Sequence, residues 1–275
     1  MKNYGMPYKG SKNLIAEKII SVLPEADYFV DLFGGGGAMS HCAVLSGKYK
    51  KVIYNELEPL VYKGFVMAIN GEFENEKRWI SREEFFRLKD TDPYVAMCFS
   101  FGNDMKSYAY SPENERLKEH LHKIFFAETP EQSYINWKKF LNDYRTINLD
   151  CSKKFKLLQN LDSLQRLQSL EWFDRLKKIS HFDIKCYNLS YEQVQIPENS
   201  VVYCDIPYRN TKKYISEFDH EKFYSWAKSQ PFMVYISEYS MPEDFQEIAS
   251  FEKNCKFSGQ KSKKTIEKIF TNKAV

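Results

Sequence analysis

The sequence predicts an α/β fold in which a parallel sheet is interrupted by a long helical insert. Three observations support this prediction. Strand-like and helix-like segments alternate between residues 28 and 70, which is the pattern of a parallel sheet. From about residue 73 to residue 179 the sequence looks mostly helical and has no strong strand signal. After Ser180 the strand-like segments return, so two α/β portions flank the insert.

The first α/β portion places four glycines directly after its first strand. Leu14, Ile15 and Ile19 share one face of a helix predicted over residues 12–23. The apolar run 28–33 is predicted as a buried strand that leads into the glycines. The remaining predicted elements are a helix at 38–46 with Gly47 as its C-cap, a strand at 51–55 and a helix at 59–70 stopped by Gly71.

The insert is predicted to be helical because it contains two capping signals and a helical leucine repeat. Ser81 is followed by Glu84, and Thr129 is followed by Pro130 and Gln132, as in capping boxes. Apolar residues recur at helical spacing between residues 161 and 176. The predicted division is therefore residues 1–75 plus 180–275 for the α/β domain and residues 76–179 for the helical domain.

The second α/β portion completes a predicted sheet of seven strands. Three of these strands are expected at 182–187, 201–205 and 232–237, with helices near 219–229 and 242–249. Two final segments, 251–257 and 265–271, are expected to close the sheet as a hairpin.

The composition is that of an ordinary globular protein. Hydrophobic residues make up 43% of the 275 residues, charged residues 28% and aromatic residues 16%, and the net charge is +3. These values exclude a disordered chain, a collagen-like fibre and a membrane-embedded protein. The apolar runs are too short to span a bilayer and the N-terminus has no apolar signal core, so no membrane association is expected. The six cysteines include no closely spaced pair, which favours free thiols in a reducing, intracellular compartment.

The segment Asp31-Leu32-Phe33 followed by glycines 34–37 is predicted to be a ligand-binding loop. Glycines let the backbone approach a ligand closely, and ligands of open α/β sheets bind at the carboxyl ends of strands. The dinucleotide fingerprint fails, because Met39 and Ser40 stand where its third glycine would have to be. No Walker lysine follows the glycines either. Glu56, at the end of the second strand, has the position of an acid that holds ribose hydroxyls.

A second polar segment, Asp205-Ile206-Pro207-Tyr208, follows the apolar run 201–204. A carboxylate and a carbonyl at this position can both accept hydrogen bonds from an amino group. The proline pins the backbone, and the tyrosine ring can stack on a planar base. The segment therefore predicts a rigid site for a planar substrate that carries an amino group.

These segments together resemble the Dam-like (D12 class, α-group) adenine-N6-specific DNA methyltransferases. The segment 205–208 fits the (Asp/Asn/Ser)-(Pro/Ile)-Pro-(Tyr/Phe/Trp) motif of amino-methyltransferases. Residues 7–14 resemble the N-terminal cofactor motif of this class, with Ser11 in place of its second glycine. Residues 31–37 look like the Phe-x-Gly-Gly-Gly loop, and residues 100–104 resemble the Phe-(Gly/Asn)-Asn segment. The order of the motifs is that of the α group.

The resemblance implies a Rossmann-like S-adenosylmethionine-dependent methyltransferase with a seven-stranded mixed sheet and a helical target-recognition insert. It implies methylation of adenine N6 in double-stranded DNA, with base flipping and without a metal. The implied catalytic residues are Asp205, Ile206, Pro207 and Tyr208. The implied cofactor-binding residues are Tyr8, Lys12, Asp31, Phe33, Gly34, Gly35, Gly36, Glu56 and Asp205, with Lys12 on the methionine carboxylate and Glu56 on the ribose. The residues expected to contact DNA are Lys9, Arg209, Lys212 and Lys213.

Local charge also fits a nucleic-acid partner. Between residues 253 and 273 there are seven lysines and one glutamate, a net of +6, and residues 153–185 carry a net of +4. Such stretches can contact phosphates, although a solvated face is an equal interpretation for the second one. Five aromatic residues of the insert are candidates for either base stacking or the core: Tyr94, Tyr108, Tyr110, Tyr134 and Trp137.

Other functions remain open at this point. The same fold can methylate cytosine N4 or an RNA base, or can persist as a catalytically inactive DNA-binding relative. A nicotinamide-dependent oxidoreductase is a distant alternative because the glycine spacing fails. The expected setting is the cytoplasm of a bacterial or phage-infected cell, with a possible companion restriction endonuclease. A monomer and a dimer are both compatible with the sequence.

Overall fold

The computed structural model describes residues 3–146, 165–209, 218–255 and 263–272. The chain divides into two compact units. The sheet unit comprises Met1–Met6, Gly10–Asn70 and Arg175–Val275, and the helical unit comprises Pro7–Lys9 and Gly71–Asp174. Among the described residues, no helix is both long and apolar enough to cross a membrane.

The first part of the sheet unit alternates helices and strands as predicted. The short α1 begins later than expected, because Lys12–Ile15 forms a turn in which Ile15 N donates to Lys12 O at 2.9 Å. Gly47 ends α2 in the left-handed conformation (φ +70°) that favours glycine. The elements are α1 (Ala16–Val22), β1 (Ala26–Asp31), α2 (Ala38–Ser46), β2 (Tyr49–Asn55) and α3 (Pro59–Ile69).

The described part of the insert is helical. Ser81 forms the predicted capping box with Glu84, whose carboxylate accepts from Ser81 N at 2.9 Å. Only half of the second predicted box forms: Thr129 Oγ1 accepts from Gln132 N at 3.2 Å, while the Gln132 side chain accepts from Glu128 N instead. The helices are α4 (Arg82–Leu88), α5 (Pro93–Cys98), α6 (Pro112–Phe125), α7 (Pro130–Thr146) and α8 (Gln165–Lys177).

The aromatic residues of the helical unit divide between the core and the surface. Tyr94 and Tyr108 are buried, which is the core interpretation. Tyr134 and Trp137, both on α7, are exposed by 57% and 44%. Tyr110 is half-buried and stacks on Trp79, with ring centroids 5.8 Å apart. Of the five aromatic candidates, only Tyr134 and Trp137 and, in part, Tyr110 therefore expose ring surface on which a base could stack.

The last part of the chain contains β3 (Ile184–Tyr187), β4 (Ser200–Cys204), α9 (His220–Ser229), β5 (Val234–Glu238), β6 (Gln246–Cys255) and β7 (Lys263–Thr271). Within the described residues, the strands form a mixed sheet of seven in the order β3-β2-β1-β4-β5-β7-β6. The first five strands of that order are parallel, whereas β7 is antiparallel to both β5 and β6. Val30, Ile53, Val202 and Ile236 from four adjacent strands lie in one buried cluster.

The prediction of a helix over residues 242–249 is wrong. Phe245 N donates to Pro242 O at 3.0 Å to close a turn, and β6 begins at Gln246 opposite Thr271 of β7. A register shift between Glu247 and Ala249 interrupts the two-residue alternation that would have indicated a strand. The final hairpin is confirmed, and its first strand is longer than expected.

Candidate active site

The topology of the sheet places two of the predicted segments side by side. β1 and β4 are adjacent and parallel, and Asp31 pairs with Tyr203 in their register. The chain leaves β1 toward β2 on one side, while β4 lies on the other side, so strand order reverses between them. Ligands of open α/β sheets bind at such a reversal, at the carboxyl ends of the strands. The glycine loop after Asp31 and the segment that begins at Asp205 both lie there.

The backbone of the glycine loop is fixed by short hydrogen bonds. Gly34 N donates to Asn55 O at 2.8 Å, and Gly37 N donates to Gly34 O at 2.7 Å. Gly37 has φ +74°, and a Cβ atom there would lie 2.1 Å from Phe65 Cε2. Glycine is therefore required at this position both for conformation and for space.

Gly34 is required because the ring of Tyr54 fills the space that a side chain would need. A Cβ atom on Gly34 would lie 2.2 Å from Tyr54 Cε2. The Tyr54 hydroxyl donates to Gly35 O at 2.7 Å, and its ring stacks on Phe65 with centroids 3.9 Å apart. The loop therefore presents bare backbone, which a bound cofactor can approach closely.

Two acidic side chains lie beside this loop. Asp31 is 1% exposed; its Oδ2 accepts from Ser40 N and from Ser40 Oγ, at 3.2 and 2.7 Å. Its Oδ1 has no hydrogen-bond partner among the described residues, and burial raises the pKa of the carboxyl to about 7. Glu56 accepts from Gly35 N at 2.7 Å and from Glu58 N at 2.8 Å, and burial raises its pKa. A carboxylate has about four acceptor positions, so both acids can still bind donors of a ligand.

The segment 205–208 is held by contacts on both sides of its backbone. Ile206 is buried, and Pro207 O lies 2.7 Å from His220 Nε2. The Tyr208 hydroxyl donates to Glu267 Oε1, and the Tyr208 ring packs edge-on against Tyr239 with centroids 4.6 Å apart. These contacts fix the position of the Pro207 carbonyl and the orientation of the Tyr208 ring.

Lys12 contacts the segment 205–208 directly. Its side chain is 3% exposed, and Nζ lies 2.5 Å from Asp205 Oδ1 and 3.7 Å from Glu267 Oε1. The same nitrogen lies 4.8 Å from the centroid of the Tyr208 ring. The structure therefore places Lys12 between the acids of the site, and binding of a methionine carboxylate by Lys12 stays a prediction.

The other predicted site residues have different surroundings. The Phe33 side chain packs into an aromatic cluster with Tyr191 and Phe218. Arg209 is exposed, and its Nη2 lies 2.7 Å from Glu221 Oε1. Two predicted residues belong to the helical unit, the half-buried Tyr8 and the exposed Lys9. Lys212, Lys213 and, within the basic stretch 253–273, residues 256–262 and 273 lie outside the described residues.

Sequence reasoning missed two buried carboxylates of the site. Glu238, the last residue of β5, accepts from Arg209 N at 3.1 Å and is 1% exposed. Glu267 on β7 is also 1% exposed. Neither residue belongs to a local motif, and only the antiparallel pairing of β5 with β7 brings Glu267 to this edge. Glu238 directly follows the predicted strand 232–237, and Glu267 lies inside the predicted strand 265–271 beside Lys268, so neither position carried a distinctive local signal.

The donor and acceptor set of this edge fits S-adenosylmethionine. The bare glycine backbone leaves room for an extended ligand, and the unpartnered Oδ1 of Asp31 is an acceptor suited to an ammonium group. Glu56 follows β2 at the position suited to ribose hydroxyls. Together with the segment after β4, these features define a Rossmann-like α/β methyltransferase.

The particular family follows from comparison with known proteins. Residues 8–233 match the D12 class N6 adenine-specific DNA methyltransferase family. The match covers most of the chain, so the protein belongs to this family and is an adenine-specific DNA methyltransferase. The family implies DNA as substrate and S-adenosylmethionine as methyl donor. No curated protein matches the chain.

Proposed function

We propose that this protein transfers a methyl group from S-adenosylmethionine to N6 of an adenine that is flipped out of double-stranded DNA. The observation that carries the proposal is the arrangement at the ends of β1 and β4. There, the Asp205 carboxylate and the Ile206 carbonyl lie in the segment adjacent to the glycine loop. One strand end thus offers acceptors for an amino group, and its neighbour offers space for a cofactor.

The cofactor is proposed to lie along the glycine loop. Asp31 Oδ1 and Glu56 would accept hydrogen bonds from its ammonium group and ribose hydroxyls. When bound, S-adenosylmethionine supplies an electrophilic methyl group on its sulfonium. Residues 34–36 provide bare backbone rather than side chains, which keeps this part of the site open to the substrate base.

The catalytic segment is proposed to hold and activate the adenine amino group. The N6 lone pair is delocalised into the ring, so the nitrogen is a poor nucleophile. Acceptors on both N–H bonds, from Asp205 and from the Ile206 carbonyl, favour the geometry in which the lone pair points away from the ring. Asp205 can serve the amino group and Lys12 together, since a carboxylate has about four acceptor positions. Tyr208 would stack on the flipped base and offset part of the unstacking cost of a few kcal/mol.

DNA recognition is proposed to be shared between the two units. Residues 76–179 would act as the target-recognition domain, and Lys9, Arg209, Lys212 and Lys213 would contact phosphates. Arg209 would exchange its exposed ion pair with Glu221 for a phosphate. We place the enzyme in the cytoplasm of a bacterial or phage-infected cell. A companion endonuclease and a monomeric or dimeric state stay predictions.

The test is to express the protein in bacterial cells that lack adenine methyltransferases and to sequence modified bases in their DNA. N6-methyladenine at one short motif supports the proposal and reports the recognition sequence. N4-methylcytosine alone, methylation of RNA alone or no methylation at all overturns it.

A variant pair tests the role of Asp205. The change Asp205→Ala should lower the rate of methyl transfer at least about 100-fold while DNA affinity stays within twofold. The matched control is Asp244→Ala, which removes an exposed carboxylate paired with Lys228 and should leave both quantities unchanged. Equal methylation by the Asp205→Ala variant would contradict the assignment.

A further inference from the structure

Glu267 is a buried carboxylate with no place in the motifs discussed above. It lies on β7, outside the residues 8–233 that match the family. Its side chain is 1% exposed, although burial of an ionised carboxylate is costly unless charged or polar partners surround it. A residue of this kind at the edge of an active site needs an explanation.

Glu267 contacts two residues of the candidate site, Tyr208 and Lys12, and also the buried Ser237 of β5. Its Oε1 accepts from the Tyr208 hydroxyl and, at 3.1 Å, from Ser237 Oγ. The ammonium group of Lys12 lies 3.7 Å from the same oxygen. Ser237 pairs with Ile269 in the register of β5 and β7, so Glu267, two residues before Ile269, points to the same face of the sheet.

These contacts connect the two ends of the catalytic segment. Lys12 lies between Asp205, the first residue of the segment, and Glu267. Tyr208, the last residue, is bound by Glu267 through its hydroxyl. Burial, followed by the nearby charges of Asp205 and Glu267, raises the pKa of the Tyr208 hydroxyl, so this group keeps its proton and donates it in the hydrogen bond. The carboxylate thus limits rotation of the ring that would stack on the base.

We propose that Glu267 is a positioning residue that sets the orientation of Tyr208 and the place of Lys12 for methyl transfer. This inference rests on the proposed function, since it assigns Tyr208 to the flipped base. Glu267 does not contact the substrate itself. Glu267 is therefore expected to affect kcat rather than the binding of DNA or cofactor, because the Tyr208 ring stacks only on a base that has already entered the site.

The experiment compares Glu267→Gln with Glu247→Gln, a change of the same type in the same strand pair. Glu247 forms an exposed ion pair with Lys268, and its replacement should change nothing. Methyl transfer is measured with labelled S-adenosylmethionine on unmethylated bacterial DNA, at a temperature where both variants are fully folded. For Glu267→Gln we expect kcat to fall about 10- to 100-fold, while the dissociation constants of DNA and of S-adenosylmethionine stay within twofold.

A second variant separates positioning from a purely structural role. Tyr208→Phe keeps the ring and removes only the hydroxyl that Glu267 accepts. The double variant should lose less than the product of the two single losses in kcat, because both changes act on the same hydrogen bond: glutamine removes its charge assistance and phenylalanine removes its donor. The shifts in urea midpoint should likewise be less than additive, and this readout does not depend on activity.

The outcomes distinguish this inference from the proposed function. A wild-type enzyme that methylates no adenine overturns the proposed function. In that case the urea midpoints of the single and double variants still test the contact between Glu267 and Tyr208. A Glu267→Gln variant with wild-type kcat overturns the inference. A double variant whose loss of kcat equals the product of the two single losses overturns the inference as well.

Discussion

Replacing Gly34 by alanine tests whether Tyr54 shapes the glycine loop. The added Cβ atom would lie 2.2 Å from Tyr54 Cε2 and 2.4 Å from Cδ2, far inside van der Waals contact. The ring cannot swing away, because it is buried, stacks on Phe65 and is bound through its hydroxyl to Gly35 O. The clash must therefore be relieved by moving the loop, the strand or both.

The magnitude follows from the cost of overpacking a rigid core. Such changes cost about 1–3 kcal/mol, which at a denaturant slope of roughly 2 kcal/mol/M lowers the urea midpoint by about 0.5–1.5 M. Displacement of the loop also moves the backbone that the cofactor would contact. We expect the dissociation constant of S-adenosylmethionine to rise at least about tenfold, which corresponds to about 1.4 kcal/mol.

The assay combines urea unfolding with equilibrium dialysis of labelled S-adenosylmethionine. Gly47→Ala is the matched control, because Gly47 has φ +70° and nothing lies within 4 Å of an added Cβ atom. That change costs about 1–2 kcal/mol of backbone strain but should leave cofactor affinity unchanged. Wild-type cofactor affinity in the Gly34→Ala variant, or an equal loss in the control, would refute the reasoning.

Three further predictions concern charge. Burial raises the pKa of Glu238 from 4.5 to about 7, so its contribution to stability is fully present below about pH 4.5 and is lost as the pH rises through about 7. The change Glu238→Gln should remove this pH dependence, which is worth at most about 3 kcal/mol in the free energy of unfolding measured across pH 4–8. A variant whose free energy of unfolding varies with pH as in the wild type would contradict this assignment. Glu56→Gln should raise the dissociation constant of S-adenosylmethionine about tenfold in dialysis with DNA affinity within twofold, because the carboxylate is assigned to the ribose; equal cofactor affinity would exclude that role. Arg209→Gln should lower the salt slope of DNA binding by about one, whereas Lys50→Gln, near the amino end of β2, should not; identical slopes would remove Arg209 from the interface.

The parallel part of the sheet could be predicted because short apolar runs in the sequence mark its central strands. The apolar run before the glycines and the apolar run before Asp205 both became central strands, and both end at the predicted edge. The failure at residues 242–249 has a specific cause. The register shift between Glu247 and Ala249 breaks the two-residue alternation, so the strand pattern that predicted the rest of the hairpin does not extend over the start of β6.

The candidate site could be predicted where its residues stand at the ends of adjacent parallel strands. Asp31, Glu56 and Asp205 stand at the ends of adjacent strands, so their proximity follows from the order of the sheet. The pairing of Lys12 with Asp205 joins residues 193 positions apart. Glu267 depends in the same way on the register of an antiparallel strand, and no spacing rule within the sequence specifies that register.

The position of β7 has a consequence for how the enzyme is made. β7 is the last strand in the chain, yet it lies between β5 and β6 rather than at the edge of the sheet. A nascent chain that ends before residue 263 has no partner for the outer edge of β5 and no acceptor for the Tyr208 hydroxyl. Both β5 and β7 must be synthesised before this part of the sheet can pair, and pairing between strands distant in sequence forms slowly. A product that stops before residue 263 lacks both Glu267 and the strand that carries it, so we expect it to methylate DNA more slowly than a product that includes β7.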